Sequence, residues 1–292
     1  MVYDVGSSSC GESIKEIIGG SEIDLVAISH PDADHYRGIN NAFKPTSDGG
    51  FGLKTKAILE TGIVRFSDDG DISPTYKKYI TAKKNIPTTH SLTNPETAKA
   101  YKAGKQWDFG DALVTFIHGH GLDQSGSKDP SSHDRNGASI VLKIEYGSNS
   151  IPLTGDAVGV KENDTTGKHC IRTEKRIVES CGSPQKTCGN MNVDVMIAPH
   201  HGSHESLCME FIQLTDPETV IFSAGRSHSH PRQVAYDRLI AHDKDIITYR
   251  TDRGEASGKA KEWTDELGDS KKGDDNITVV MNGSDSPVIS YR

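Results

Sequence analysis

One short stretch decides how this chain is interpreted: Ser29-His30-Pro31-Asp32-Ala33-Asp34-His35. It follows directly on a nearly continuous apolar run, residues 23–28, of the kind that forms a buried strand. Four side chains that can ligate a metal therefore stand within six residues at a strand end. A solvated polar turn is the alternative. Burying these groups uncompensated would cost desolvation energy, however, whereas a bound cation would draw nitrogens and carboxylates together.

Three further apolar runs end in the same way, each delivering Asp or His at its carboxyl end. They lead to Thr154-Gly155-Asp156, to His200-His201-Gly202-Ser203, and past Arg226 to His228-Ser229-His230-Pro231. Ligand sites in layered α/β sheets gather where strand ends converge. Four such endings in one chain strongly favour a metal site.

Composition sets limits on the partners of the protein. The chain has 292 residues with 41 acidic and 33 basic side chains, a formal net charge of −8. This charge argues against a protein that coats nucleic acid, but not against an enzyme that cuts it at a metal site. No run approaches the roughly 18 to 20 apolar residues of a membrane span, and no signal peptide is visible. We therefore expect a soluble protein.

The hydrophobic patterning predicts a layered α/β domain with mixed sheets and no interdomain linker. Strands are predicted at 23–29, 57–59, 113–117, 139–146, 150–154, 193–198, 219–223 and 246–249, with a closing hairpin of 277–281 and 287–291. Helices are predicted at 73–84, 95–103, 170–180, 205–214 and 232–242. Polar loops are expected at 121–137, 157–169, 182–192 and 254–275.

The five cysteines do not form a C-x-x-C pair, which makes a thiolate zinc site improbable. Cys170, Cys181 and Cys188 lie close together in sequence, so they allow one local disulfide in an exported protein. The alternative, in which these cysteines are free thiols, is equally consistent with the sequence.

The motifs together resemble the metallo-β-lactamase-fold hydrolases, and among them the hydrolase domain of the competence protein ComEC. They are H-x-D-x-D-H at 30–35, L-T-G-D at 153–156, H-H-G-S at 200–203 and the strand leading to His230-Pro231. The resemblance implies a four-layer αββα sandwich of two mixed sheets flanked by helices. It implies one domain over residues 1–292, lacking the first β-hairpin of the family, with 254–275 as a polar surface insertion.

The resemblance also implies a dinuclear metal centre. One metal would be held by His30 and Asp32, the second by Asp34 and His35, and Asp156 would bridge them. His200 would complete the ligand set, with His201 as the alternative. Asp34, His201 and His230 are the expected catalytic residues, and Arg226 and Ser203 the expected contacts to substrate. The usual family histidine has no clean counterpart, and its place falls near Asn136 in 133–137.

Such a centre would hold two divalent ions, Zn or Mn, because Asp32 replaces the commoner histidine with a harder ligand. The expected function is a metal-dependent phosphodiesterase or nuclease that uses a hydroxide activated by the dinuclear centre. The net charge favours a small phosphodiester or oligonucleotide as substrate over long DNA. The alternatives are hydrolysis of a β-lactam, lactone or phosphocholine ester in the same site, or a non-catalytic binding module. No obligate protein partner is evident. The sequence does not identify the cellular compartment, and an amino-terminal truncation would allow a location outside the cytoplasm.

Overall fold

The computed structural model describes residues 1–20, 22–120, 131–182, 187–224, 230–251 and 276–291. Backbone contacts divide the chain into two compact units. Unit 1 comprises Met1–Lys102 and Gly119–Ile140, and unit 2 comprises Ala103–His118 and Val141–Arg292. Within the described residues, no helix has both the length and the apolar composition needed to traverse a bilayer.

Unit 1 is built on a parallel sheet in the order β1-β2-β3-β4. Its strands are β1 (Val2–Tyr3), β2 (Glu22–Ile28), β3 (Lys54–Glu60) and β4 (Thr88–Ser91). Its helices are α1 (Cys10–Ile18), α2 (Ala33–Tyr36), α3 (Ile39–Phe43), α4 (Pro74–Lys83), α5 (Pro95–Ala100) and α6 (Ser132–Asn136). The core of the unit joins aliphatic side chains of β2 and β3 to tyrosines of α2 and α4.

Unit 2 contains an antiparallel sheet in the order β5-β6-β7-β8 and a parallel sheet in the order β11-β10-β9. The strands are β5 (Lys105–Phe109), β6 (Ala112–His118), β7 (Val141–Tyr146), β8 (Asn149–Leu153), β9 (Val195–Ile197), β10 (Thr219–Phe222) and β11 (Ile247–Arg250). A hairpin of β12 (Ile277–Val280) and β13 (Val288–Tyr291) follows. The helices are α7 (Arg172–Cys181), α8 (Met209–Thr215) and α9 (Gln233–His242).

The predicted strands are confirmed, and so is the mixed α/β fold class. The patterning missed β4, β5 and four helices (α1, α2, α3 and α6), the last inside the predicted loop 121–137. These elements are short or lack a continuous apolar run, and packing rather than periodicity holds them. The helix predicted at 205–214 begins only at Met209. Leu207 has φ 64°, a left-handed conformation that a helix cannot include. The predicted insertion 254–275 lies outside the described residues.

Four of the five cysteines form disulfides, all in unit 2. Cys181 pairs with Cys188, which is the local disulfide that the spacing allowed. Cys170 pairs with Cys208, a bond across 38 residues that the sequence did not suggest. The second bond ties the residues just before α7 to the residue just before α8. Cys10 forms no disulfide.

Candidate metal centre

The first group of candidate ligands lies in unit 1, where β2 ends and α2 begins. His30 is fully buried, and its ring centroid lies 4.1 Å from that of His35. Nε2 of His30 is 4.0 Å from Oδ2 of Asp32, and Nε2 of His35 is 3.8 Å from Oδ2 of Asp34. The two His–Asp pairs match the pairs that the resemblance implied. Their roles as ligands remain predictions.

Asp4 positions the histidines of this group. Its Oδ2 accepts the Nδ1–H of His35 at 2.8 Å and the hydroxyl proton of Ser29 at 2.8 Å. The Ser29 hydroxyl, having donated its proton, accepts from Nδ1 of His30 at 3.0 Å. Both rings are therefore protonated at Nδ1 and present the Nε2 lone pair. A carboxylate behind a ligating histidine fixes its tautomer and raises its basicity.

Sequence patterning did not detect this role of Asp4, because the residue follows a two-residue strand 25 positions before Ser29. Its φ of 57° turns the chain so that the carboxylate can reach Ser29 and His35. Asp is one of the few residues that tolerates that backbone conformation. An isolated Asp with no neighbouring motif carries no signal of this kind.

Asp32 has an arginine against its carboxylate. Nε of Arg135 donates to Oδ1 of Asp32 at 2.6 Å, and Nε of Arg65 lies 3.8 Å from the same oxygen. The Arg135 side chain is only 4 % exposed. Arg135 stands in α6, beside the buried Asn136, at the place where the sequence lacks the family histidine. The sequence did not reveal this contact, which spans 103 residues of chain.

The second group of candidate ligands lies in unit 2, where the segments after β8 and β9 meet. Asp156 is buried, and its two carboxylate oxygens face different histidines. Nε2 of His201 is 3.3 Å from Oδ1, and Nε2 of His200 is 3.6 Å from Oδ2. The backbone N–H of His200 donates to the carbonyl of Gly155 at 2.9 Å, which ties the two segments together. One carboxylate with a histidine at each oxygen is the arrangement expected of a bridging ligand.

The backbone of residues 199–202 is a single tight turn rather than an extended strand. His200 and His201 both have left-handed conformations, with φ 49° and 54°. In an extended segment their side chains would point to opposite faces, which would leave only one near Asp156. The left-handed turn instead brings both imidazoles to the same carboxylate. The preference for His200 over His201 as the ligand therefore loses its geometric basis and remains untested.

Hydrogen bonds at Nδ1 orient these two rings. Nδ1–H of His201 donates to the carbonyl of Ser223 at 2.5 Å, so Nε2 carries the lone pair. Nδ1 of His200 lies 3.0 Å from the hydroxyl of Ser203, which is buried and also accepts the N–H of Glu205. Ser203 thus holds His200 in place, and its expected contact to substrate stays a prediction.

Of the two remaining predicted site residues, the structure describes His230. The His230 ring stacks on that of His201 at a centroid distance of 6.3 Å and meets the edge of His200 at 5.8 Å. The structure therefore places His230 with the unit 2 histidines. Arg226 lies outside the described residues.

Glu174 supports the chain that follows the histidine turn, a role that sequence patterning did not detect. Its fully buried carboxylate accepts the backbone N–H groups of Leu207 at 2.8 Å and Cys208 at 2.6 Å. The backbone at Gly159 passes so close to Glu174 that a Cβ there would lie 1.7 Å from Oε2 of Glu174. Burial raises the pKa of Glu174 to about 8, although the two N–H donors and the guanidinium of Arg238 lower it.

The donor chemistry of both groups fits divalent metal ions. Imidazole lone pairs stand 3.3 to 4.0 Å from carboxylate oxygens, which is longer than a charge-assisted hydrogen bond. Two ligand atoms at about 2.1 Å from one tetrahedral ion are about 3.4 Å apart. Neutral imidazole and carboxylate are ligands that Zn and Mn accept. The residues present therefore fit divalent ions of this kind.

Similarity to known proteins identifies the class of protein to which this chain belongs. The metallo-beta-lactamase superfamily model matches residues 1–226, and the chain belongs to that family. Its fold is the mixed α/β fold of a superfamily that consists mostly of metal-dependent hydrolases.

Among individual proteins, the chain is similar to ComE operon protein 3 of Bacillus subtilis (strain 168), at 33% identity over 127 residues. It is also similar to the competence protein ComA of Neisseria gonorrhoeae, at 31% identity over 121 residues. These matches cover 43% and 41% of this chain but only 13% and 15% of the relatives. The chain thus corresponds to a small part of either protein.

A solved structure with a similar fold is CmlA, a diiron beta-hydroxylase from Streptomyces venezuelae. It shares 14% identity, and the match covers 79% of this chain and 44% of CmlA with a TM-score of 0.39. A similarity of that size is no argument for a shared activity.

Proposed function

We propose that this protein is a metal-dependent phosphodiesterase or nuclease that acts on a small phosphodiester or oligonucleotide. The observation that carries the proposal is the Asp156 carboxylate with one histidine Nε2 at each oxygen, an arrangement suited to two divalent ions, Zn or Mn. The proposed ligand set also includes His30, Asp32, Asp34 and His35, as the resemblance of the motifs implies. When bound, divalent ions lower the pKa of a coordinated water and neutralise charge on phosphoryl oxygens.

The residues of the chain would orient and protonate the substrate. Asp34 has a side chain that is 57 % exposed, so its carboxylate can accept a proton from the attacking water. His230 would donate a proton to the leaving oxygen, with His201 stacked beside it as a contact to the phosphate. Arg65, which is partly exposed beside Asp32, supplies positive charge that favours an anionic substrate over a neutral lactone.

The similarity to ComE operon protein 3 and to the competence protein ComA is a second line of support, because it agrees with the ComEC-like branch that the motifs resemble. Two disulfides in unit 2 support a location outside the cytoplasm, because such bonds persist in oxidising compartments. The formal charge of −8 favours short substrates over long DNA. No protein partner is required by this proposal.

The test is hydrolysis of an activated phosphodiester by the full chain with Mn²⁺ or Zn²⁺. We expect turnover that chelation abolishes and that His35→Ala reduces to near background, because one metal position loses a ligand. His90→Ala is the matched control, since His90 lies on β4 against the ring of Tyr101 and belongs to neither ligand group. Opening of a chromogenic β-lactam or a lactone, without phosphodiester cleavage under any divalent metal, would instead support the alternative hydrolase.

A further inference from the structure

The two metal positions implied in unit 1 have opposite electrostatic surroundings. In the position of Asp34 and His35, the carboxylate of Asp4 stands behind His35 at 2.8 Å. In the position of His30 and Asp32, the guanidinium of Arg135 stands behind Asp32 at 2.6 Å. A negative charge behind a ligand strengthens its donation to a cation, whereas a positive charge weakens it. The position of Asp34 and His35 should therefore bind a cation more strongly than the position of His30 and Asp32.

The guanidinium of Arg135 is buried beside Asp32 and cannot rotate into solvent. Arginine remains protonated in proteins, and this side chain is only 4 % exposed. A buried guanidinium needs an anionic partner, and Asp32 is the carboxylate that its Nε contacts. A divalent ion that binds Asp32 must therefore share the carboxylate with a fixed positive charge. Arg65, which is 34 % exposed and 3.8 Å away, adds a weaker contribution of the same sign.

The position of Arg135 along the chain strengthens this argument. α6 begins after Ser131, whose hydroxyl accepts the N–H of Asp134, and this cap fixes the short helix that carries Arg135. The segment stands where the chain lacks a family histidine. A cationic side chain is therefore held in this segment, next to Asp32. Its positive charge weakens the metal position of His30 and Asp32.

We propose that Arg135 makes the metal centre unequal. The His30 and Asp32 position binds a divalent ion at least about tenfold more weakly than the Asp34 and His35 position, a difference within the range that groups behind metal ligands produce. Arg135 is a positioning residue that acts through Asp32. At low metal concentration the protein carries one ion, and the second binds only as the concentration rises. The inference rests on the proposed metal centre and concerns its loading, not its reaction.

The experiment is a calorimetric or equilibrium-dialysis titration of the metal-free full chain with Mn²⁺, repeated with Zn²⁺. We expect two binding steps whose dissociation constants differ by at least about tenfold. Arg135→Gln should strengthen the weaker step by about tenfold and leave the stronger step within about twofold. Arg135→Lys keeps the charge and should keep the weaker step weak. Arg65→Gln is the matched control and should shift the weaker step less than Arg135→Gln does.

Two results would overturn the inference while leaving the proposed function intact. The first is two steps of equal affinity in the unmodified protein. The second is an Arg135→Gln protein that is folded by circular dichroism yet keeps the original ratio of affinities. If Arg135→Gln does not fold, the unmodified protein and Arg135→Lys still decide the question. Absence of any Mn²⁺ or Zn²⁺ binding would contradict the proposed metal centre itself, and the inference with it.

Discussion

Replacing Asp4 by Asn tests whether the residue behind His35 controls metal binding. Asn has the same shape and also tolerates the left-handed φ of 57°, so the backbone should not change. Its amide oxygen can still accept from Ser29, but its NH₂ group would face Nδ1 of His35. To accept that bond, the ring must carry its proton on Nε2. The atom expected to ligate the metal would then be blocked.

The size of the effect follows from the hydrogen bonds lost. Loss of a partner behind a metal-ligating histidine typically costs 10–100-fold in metal affinity, or about 1.4 to 2.7 kcal/mol. The folded state also loses a charge-assisted bond, which contributes about 1.5 to 3 kcal/mol. We therefore expect Asp4→Asn to raise the dissociation constant of the stronger metal step by 10–100-fold. The free energy of unfolding should fall by a similar small amount.

The assay is competition for Zn²⁺ or Mn²⁺ against a chelating dye, with denaturant unfolding of the metal-free protein alongside. Asp24→Asn is the matched control. It makes the same change in charge at an exposed residue of β2. Among the ion pairs described, the Asp24 carboxylate contacts only the surface residue Lys56, at 2.6 Å. If Asp4→Asn binds metal as tightly as Asp24→Asn does, Asp4 does not control the His35 tautomer.

Three further variants test the rest of the centre. Asp156→Ala should weaken both metal steps and His200→Ala mainly one, whereas His201→Ala should keep its metals. Loss of a metal from His201→Ala instead would make His201 the ligand, and elemental analysis showing full metal content in Asp156→Ala would exclude the bridging role. The pKa of Glu174 is about 8 in the folded state and 4.5 in the unfolded chain. The folded state therefore holds a proton that the unfolded chain releases as the pH rises between these values. The free energy of unfolding should fall over that range, by at most ~5 kcal/mol. Glu174→Gln should flatten that slope in denaturant unfolding at pH 5 and pH 8, and an unchanged slope would show that another group causes it. His230→Ala should keep its metal and slow an unactivated phosphodiester more than an activated one; equal slowing would favour His230 as a ligand.

Local sequence predicted much of this protein because buried strands are continuous apolar runs. The run at 23–28 ends at His30, and the run that forms β8 ends just before Asp156. Each run also places its polar residues at a strand end, which is where ligand sites form. The order of the motifs was sufficient to identify the family.

Contacts between distant segments are the part that sequence could not supply. Asp4 reaches His35 across 31 residues, and Arg135 reaches Asp32 across 103. No local pattern distinguishes these two residues from ordinary surface charges. The Cys170–Cys208 disulfide has the same origin, because its spacing matches no common motif.

What the sequence by itself determined is which side chains stand at the ends of the strands, because hydrophobic periodicity specifies where a buried strand stops. Only the tertiary structure decided how those side chains are oriented and charged. The left-handed turn at His200 and His201 brings both rings to Asp156, although an extended chain would have separated them. The charges behind His35 and Asp32 arise from segments that meet only when the chain folds, because electrostatic interaction depends on distance in space and not on separation along the chain.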